Sequence, residues 1–109
     1  MIFEVKITPQ GETDLRGIYE YIAFELKVTM NATNQLNRLE EAIKKLDTFP
    51  EGYPRYPKEP WRSRGLRFMP VDNYLVYFIP HSHSGMVWII RVMYRGRDIE
   101  HQLSDKTEY

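Results

Sequence analysis

The sequence has no cysteine and no long apolar run, and each absence excludes a class of protein. Without cysteine there is no disulfide, no thiol nucleophile and no cysteine-ligated metal, and a reducing cytoplasm suits such a chain. The first residues, MIFEVKITPQ, have neither the apolar stretch of a signal peptide nor the length of a membrane span. We therefore expect a cytoplasmic protein that does not enter a membrane.

Motifs for cofactors and small substrates are also missing. There is no glycine-rich phosphate loop and no nucleophile elbow. His81 and His83 form an H-x-H in a loop, but a zinc site needs a third and a fourth ligand. The sequence predicts no metal, no cofactor and no small-molecule substrate.

What is present suits one compact domain over residues 1–109, because 42% of the residues are hydrophobic and 14% are aromatic. Residues 1–54 carry nine acids and six Lys or Arg, and residues 55–109 carry six acids and nine Lys or Arg. The basic second half indicates an anionic partner, which is a nucleic acid or an acidic protein segment. The alternative is a solvated surface whose charge asymmetry has no function.

The periodicity predicts an α+β fold with the element order β-α-α-β-β-β. A helix hairpin packs on one face of a small, mostly antiparallel sheet. Residues 50–60 hold four prolines and form a surface loop, with Tyr53, Tyr56 and Trp61 either pinning it to the domain or stacking on nucleic acid. Residues 98–109 form a short helix or a mobile tail. The predicted strands are 2–8, 66–71, 73–80 and 86–94, and the predicted helices are 10–27 and 30–48.

Strict alternation divides the last strand, MVWIIRVMY, into two rows. We expect the apolar and aromatic row to face the helices, which leaves Arg91, and Arg67 on a neighbouring strand, on an open face. The alternative for Arg91 is an internal ion pair with Asp72 or Asp98. The first row is Trp88, Ile90, Val92 and Tyr94, and the second is Val87, Ile89, Arg91, Met93 and Arg95.

Three stretches, ETDLRGIYEYI, GLRFMPVDNYLVYFIP and IIRVMYRGRDIEHQL, resemble the RelE/ParE superfamily of toxins from type II toxin–antitoxin systems. The resemblance extends from Phe3 to Leu103 and is closer to the ParE branch. It implies a toxin neutralised by a cognate antitoxin. ParE-type members are implied to poison DNA gyrase without recognised catalytic residues, whereas RelE-type members cut mRNA in the ribosome.

The nuclease alternative needs a base, a phosphate-binding charge and an acid. If this chain is a nuclease, Arg67 and Arg91 are the candidates to hold the phosphate and Tyr94 is the candidate acid. No general base stands out beyond Lys58 and Glu59 in the loop, and the acidic tail disfavours docking on ribosomal RNA. We therefore favour a ParE-like gyrase inhibitor, with a ribosome-dependent nuclease or a non-toxic antitoxin-binding module as alternatives.

Two sets of binding residues follow from these expectations. The basic stretch of the last strand is predicted to contact the target. Apolar positions of the first helix, with two residues of the sheet, are predicted to contact the antitoxin. The target-binding set is Arg91, Arg95 and Arg97, and the antitoxin-binding set is Leu15, Tyr19, Ile22, Arg67 and Met93.

Overall fold

The computed structural model describes residues 2–109, which form four strands and four α-helices. The elements are β1 (Glu4–Ile7), α1 (Pro9–Glu20), α2 (Thr29–Lys44), α3 (Trp61–Arg64), β2 (Arg67–Val71), β3 (Tyr74–His81), β4 (Met86–Tyr94) and α4 (Ile99–Lys106). The element order and the fold class agree with the prediction. Helix α3 is added to it, and α4 is the short helix that was one of the two alternatives for residues 98–109.

Helix α1 begins where the sequence signals a helix start. The Thr8 hydroxyl caps it by accepting a hydrogen bond from the Gly11 N–H at 3.0 Å, and Pro9 occupies the first turn. Beyond Glu20 the helix widens into a π-helical turn, Tyr21–Glu25, and Lys27 with φ of 57° ends it. The chain then reverses into α2, so the two helices form the predicted hairpin.

The sheet has the order β1-β4-β3-β2. Strand β1 runs parallel to β4, and the other two neighbouring pairs are antiparallel, so the sheet is mixed and mostly antiparallel. The two longest strands therefore lie in the middle, and β1 and β2 form the edges.

A β-bulge in β4 changes which side chains face each side of the sheet. Tyr77 is aligned with Arg91 and Phe78 with Ile89, so Ile90 is an extra residue between two aligned pairs. Strict alternation ends at this point, and the residues beyond the bulge exchange faces.

The hairpin face of the sheet holds the larger core. Val87 and Ile89 point to the helices before the bulge, and Val92 does so after it. They pack against Leu39 and Ile43 of α2 in a cluster that we call the hairpin core, which also contains Phe78 of β3. The expectation that Trp88 and Ile90 share a row with Val92 facing the hairpin is therefore wrong, because the bulge lies between them.

The opposite face of the sheet is covered, which also contradicts the expected open face. Trp61 of α3 and Leu103 of α4 are 3% and 1% exposed, and they pack on Ile90 and Met93 of β4. Tyr56 of the proline-rich loop packs against this second core. With Trp61 buried, the loop has no free indole ring to stack on a nucleic acid.

Arg91 is buried and not displayed on an open face. Its Nε and Nη2 donate to the two carboxylate oxygens of Asp14 at 2.6 and 3.0 Å, and its Nη1 donates to the Thr107 hydroxyl at 3.1 Å. The expected internal ion pair exists, but its acid is Asp14 of α1, and neither Asp72 nor Asp98 takes that place.

Within residues 2–109, every helix is too short or too polar to pass through a lipid bilayer.

Candidate functional site

A groove of about 1050 Å³ opens where the tip of the helix hairpin diverges from the end of the sheet. We call it the hairpin groove. Its floor and walls combine apolar, tyrosine and amide side chains. The lining residues are Thr13, Asp14, Gly17, Ile18, Tyr21, Ile22, Leu26, Asn31, Asn34, Gln35, Arg38, Asn73, Tyr74, Val92, Tyr94 and Arg97.

Both helices present one regular face to the groove. The lining residues of α1 and of the turn that follows it are spaced i, i+3, i+4 and i+7, which is one side of a helix. The lining residues of α2 have the same spacing. One wall is Asp14, Gly17, Ile18 and Tyr21, and the other is Asn31, Asn34, Gln35 and Arg38.

Tyrosines form the sheet end of the groove. Tyr74 and Tyr94 meet edge to face with ring centroids 6.0 Å apart, and Tyr94 keeps 52% of its surface exposed. Burial raises the pKa of Tyr74, and the nearby Tyr94 and Tyr21 hydroxyls raise that pKa further. The Tyr74 phenol is therefore held neutral at physiological pH.

The Asp14–Arg91 ion pair lies beneath the groove. The carboxylate of Asp14 also accepts the backbone N–H of Val92 at 2.9 Å, and its side chain is 9% exposed. Three donors for one carboxylate compensate the cost of burying its charge. Asp14 therefore attaches α1 to β4 and also fixes the position of the groove floor.

A second ion pair forms the rim. Arg38 Nε donates to the Asp72 carboxylate at 2.7 Å, and Gln35 Nε2 donates to the same oxygen at 2.9 Å. The hydrogen bond from Arg38 lowers the pKa of Asp72, and the bond from Gln35 adds to this effect. Arg95 donates to the Asp72 carbonyl at 3.3 Å, so the β2–β3 turn is attached to both α2 and the end of β4.

The predicted antitoxin-binding residues do not form one surface in the structure. Ile22 lines the hairpin groove, whereas Leu15 and Met93 are 4% and 1% exposed and belong to the two cores. Tyr19 and Leu15, which are one helical turn apart, both line a shallow depression of about 290 Å³ between the helices, outside the groove. Arg67 lies on the edge strand β2 and donates to the Tyr53 carbonyl at 2.6 Å.

The nuclease candidates are not brought together either. Arg67 is aligned with Phe78 of the hairpin core, and Arg91 is enclosed by Asp14 and Thr107. Tyr94 lines the groove, and neither arginine does.

The target-binding candidates divide in the same way. Arg95 and Arg97 are exposed in the turn after β4, and Arg97 lines the groove, whereas Arg91 is 4% exposed.

An exposed apolar patch continues from the groove over the hairpin tip. Phe24 and Met30 are 66% and 72% exposed, and Leu26 joins them to the groove. Contiguous exposed apolar residues of this kind mark surfaces that bind other proteins. We call this set the tip patch, and it consists of Tyr21, Phe24, Leu26, Val28 and Met30.

Sequence reasoning missed most of the groove residues. Asp14 lies off the apolar stripe of the predicted first helix, and neither Gly17 nor the amides of α2 carry a signal of their own. The i, i+3, i+4, i+7 spacing of Asp14, Gly17, Ile18 and Tyr21 was the available clue. Among residues 2–109, no three His, Asp or Glu side chains are placed to hold a metal ion.

The fold is that of a small toxin of the RelE/ParE type, and comparisons with known proteins agree. The family model described as "ParE toxin of type II toxin-antitoxin system, parDE" matches residues 5–99. The chain therefore belongs to the ParE toxin family of type II toxin–antitoxin systems. No curated protein sequence gives a significant match.

Two solved structures share the fold at low sequence identity. The chromosomal ParDE toxin–antitoxin system from P. aeruginosa has a TM-score of 0.70 and 20% identity, and the match covers 85% of this chain and 96% of that one. The RelBE2 toxin–antitoxin complex from Mycobacterium tuberculosis has a TM-score of 0.60 and 18% identity, and the match covers 87% of this chain and 100% of that one.

Proposed function

We propose that this chain inhibits DNA gyrase and is neutralised by a cognate antitoxin that occupies the hairpin groove. The observation that carries the second part is the groove itself, because it continues the hairpin core to the surface and ends in the exposed tip patch. A surface of this size and polarity binds a polypeptide. Both partners belong to the bacterial cytoplasm, where we propose that the protein acts.

Inhibition by binding suits the arrangement of charged side chains better than cleavage of RNA does. A ribonuclease needs an acid, a base and a phosphate-binding cation within reach of one phosphate. Here Arg67 and Arg91 each hold another group of the protein, and Tyr94 lies in the groove without either. Binding gyrase needs only an exposed surface, and Arg95 and Arg97 provide cations on it.

The gyrase proposal is tested by inducing the chain in bacteria and measuring DNA and protein synthesis separately. We expect gyrase arrested on DNA, and a DNA-damage response, before translation falls. Arg97→Ala should weaken the arrest, because it removes an exposed cation, and Lys44→Ala at the far end of α2 is the matched control. If translation stops first and DNA synthesis continues, gyrase is not the target.

A ribosome-dependent nuclease is the second candidate, and the exposure of Tyr94 is the observation that favours it. Tyr94→Phe separates the two, because it removes the hydroxyl and keeps the ring that packs on Tyr74. We expect Tyr94→Phe to remain toxic. Codon-dependent mRNA cleavage that disappears in Tyr94→Phe would assign the chain to the nuclease branch.

Neutralisation is tested by co-expression with the product of the neighbouring reading frame. We expect a complex with a dissociation constant in the nanomolar range or below that weakens only modestly in high salt, because apolar contacts dominate such a surface. Ile22→Glu places a charge in the groove and should abolish neutralisation while toxicity persists. Glu40→Ala, outside the groove on α2, is the control, and equal loss in both variants contradicts the groove as the binding site.

A further inference from the structure

Phe49 is an exposed aromatic residue with a strained backbone. It lies shortly after the end of α2, its φ is 50°, and 72% of its surface is exposed to solvent. A bulky residue rarely adopts a positive φ, because its Cβ then lies too close to the backbone. Asparagine or glycine adopts this conformation at lower cost. Burial of the ring does not offset the strain, and strained residues of this kind concentrate at functional sites.

A glycine beneath the ring accommodates it. Gly52 does not have a positive φ, so its backbone conformation does not require glycine. A Cβ added to Gly52 would lie 2.7 Å from two carbons of the Phe49 ring, so any other residue would displace the ring. The sequence therefore has a glycine where the ring rests on the Pro50–Gly52 turn, although most of the ring is in solvent.

The backbone around the ring is held from both sides. Thr48 forms an isolated β-bridge with Ile2, the Gly52 N–H donates to the Phe49 carbonyl at 3.1 Å, and Pro50 is buried. Ile2 is 76% exposed and extends the apolar surface beside the ring. A ring fixed before binding loses little conformational entropy when a partner covers it, which is the property of an interface anchor.

The charged side chains nearest to the ring along the chain are acidic. Asp47 precedes Phe49 by two residues and Glu51 follows it by two, and neither forms an ion pair with another described residue. Lys45 is the nearest cation along the chain, and it lines a depression between α2 and β2. These charges disfavour a nucleic acid and favour a cationic group. A guanidinium or ammonium group stacks on an aromatic face and pairs with a carboxylate.

The ring and the hairpin groove lie at opposite ends of α2. The groove is lined by residues of the first part of this helix, Asn31 to Arg38, whereas Phe49 follows its last residues. Helix α2 has 16 residues, which is about 24 Å of helix. The ring is therefore a surface separate from the groove, and a protein bound to one need not contact the other.

From these observations we propose that Phe49 is a contact for DNA gyrase, and that a cationic side chain of gyrase stacks on the ring beside Asp47 and Glu51. This inference rests on the proposal that the chain inhibits gyrase. An arginine suits the site best, because its apolar stem covers Ile2 while its planar head lies on the ring.

The inference is tested by measuring the affinity of purified gyrase, without DNA, for the wild-type chain and for Phe49→Asn. Asparagine tolerates the positive φ and lacks the ring. We expect Phe49→Asn to unfold in urea at the wild-type concentration or a higher one, while its affinity for gyrase falls at least about ten-fold. Met30→Ala, which removes a side chain of equal exposure on the tip patch, is the matched control and should bind gyrase as wild type does.

Two further variants test the chemistry of the contact. Phe49→Leu keeps an apolar side chain and removes the aromatic face, so it should weaken binding nearly as much as Phe49→Asn. Glu51→Lys places a like charge beside the gyrase cation and should weaken binding at least about three-fold. Glu41→Lys, on the exposed side of α2, is its control and should have little effect.

The outcomes separate this contact from the proposed activity. Equal gyrase affinity of wild type and Phe49→Asn overturns the contact and leaves gyrase inhibition in place, whereas a wild-type chain that does not bind gyrase overturns both. A markedly lower urea midpoint of Phe49→Asn contradicts the inference, because the ring would then stabilise the fold. Full affinity of Phe49→Leu excludes the stacked cation, and a homodimer that Phe49→Asn dissociates assigns the ring to a second copy of this chain instead.

Discussion

At the scale of single residues, the buried Arg91–Asp14 pair connects three parts of the chain. The Asp14 carboxylate accepts hydrogen bonds from two nitrogens of the Arg91 guanidinium and from the Val92 N–H. The third guanidinium nitrogen donates to the Thr107 hydroxyl. A charge in the middle of an apolar strand is therefore explained by its partners, which join the first helix, the last strand and the tail.

We predict that Asp14→Ala and Arg91→Ala each lower the free energy of unfolding by about 3–5 kcal/mol, because each leaves the other charge buried without a partner. The double variant should cost less than the sum of the two. Urea unfolding measures all three variants. Lys6→Ala, which breaks an exposed pair with Glu4, is the control and should change the stability by about 0.5 kcal/mol or less.

This prediction changes how a toxicity assay of Arg91→Ala is interpreted. Loss of toxicity in that variant follows from loss of the fold and does not identify Arg91 as a target contact. Wild-type stability in Arg91→Ala would contradict the role assigned to the pair.

At the scale of elements, helix α1 contains two glycines in opposite environments. Gly17 faces open space, whereas a Cβ at Gly11 would lie 3.0 Å from Ile7 Cγ2 and 3.1 Å from the Ile89 carbonyl oxygen. The first glycine leaves room for a partner, and the second lets α1 approach the β1–β4 pair.

We predict that Gly17→Ala raises the free energy of unfolding by about 0.5–1 kcal/mol, because alanine favours the helix and meets no obstacle. Gly11→Ala should lower it by about 1–3 kcal/mol, because the Ile89 backbone cannot move aside cheaply. Thermal unfolding of the two variants measures both changes in stability. Opposite signs are expected, and equal signs contradict the assignment of the two environments.

The Arg38–Asp72 ion pair, which attaches α2 to the β2–β3 turn, predicts that the stability of the protein depends on pH. The pKa of Asp72 is lowered in the folded state, so its contribution is present above the unfolded pKa of about 4 and is lost as the pH falls through the folded value. Asp72 is also at φ of 54°, which asparagine tolerates. Asp72→Asn should therefore be less stable than wild type at pH 6, and the difference should shrink below about pH 4.

Unfolding of both proteins across this range measures the difference. Because Asp72 is 41% exposed, the effect should be small, in the range of an exposed ion pair. A difference that grows on acidification would show that another group is responsible.

At the scale of the whole molecule, the sheet is enclosed on both faces. Leu103 of α4 is 1% exposed and packs in the second core, as Leu39 of α2 does in the first at 0%. We predict that Leu103→Ala and Leu39→Ala each cost about 2–5 kcal/mol in urea unfolding. Met30→Ala on the tip patch should be close to neutral, and a neutral Leu103→Ala would mean that α4 does not support the fold in solution.

The sequence was sufficient to predict the order of the elements, because long apolar periods identify the hairpin and the three late strands. It was not sufficient for the faces of β4. Ile89 and Ile90 are both apolar, so an inserted residue leaves no break in the pattern, and a strict period of two then misplaces Trp88 and Arg91.

The groove was predictable only in part for a related reason. It is formed by residues from four separate segments, and its open edge exists because β1 ends at Ile7 while β4 continues to Tyr94. The alternation of apolar residues within one strand does not show how far that strand extends beyond its partner, which is distant in sequence.

Because β1 pairs with β4, the sheet can be completed only after β4 has been synthesised. The first of the four strands to be synthesised pairs with the last of them, which also supplies Val92 and Tyr94 to the groove. Until then β1 has no strand partner, and contacts between distant segments form late because closing the intervening chain is entropically costly. We therefore expect a chain truncated before β4 to lack both the completed sheet and the groove.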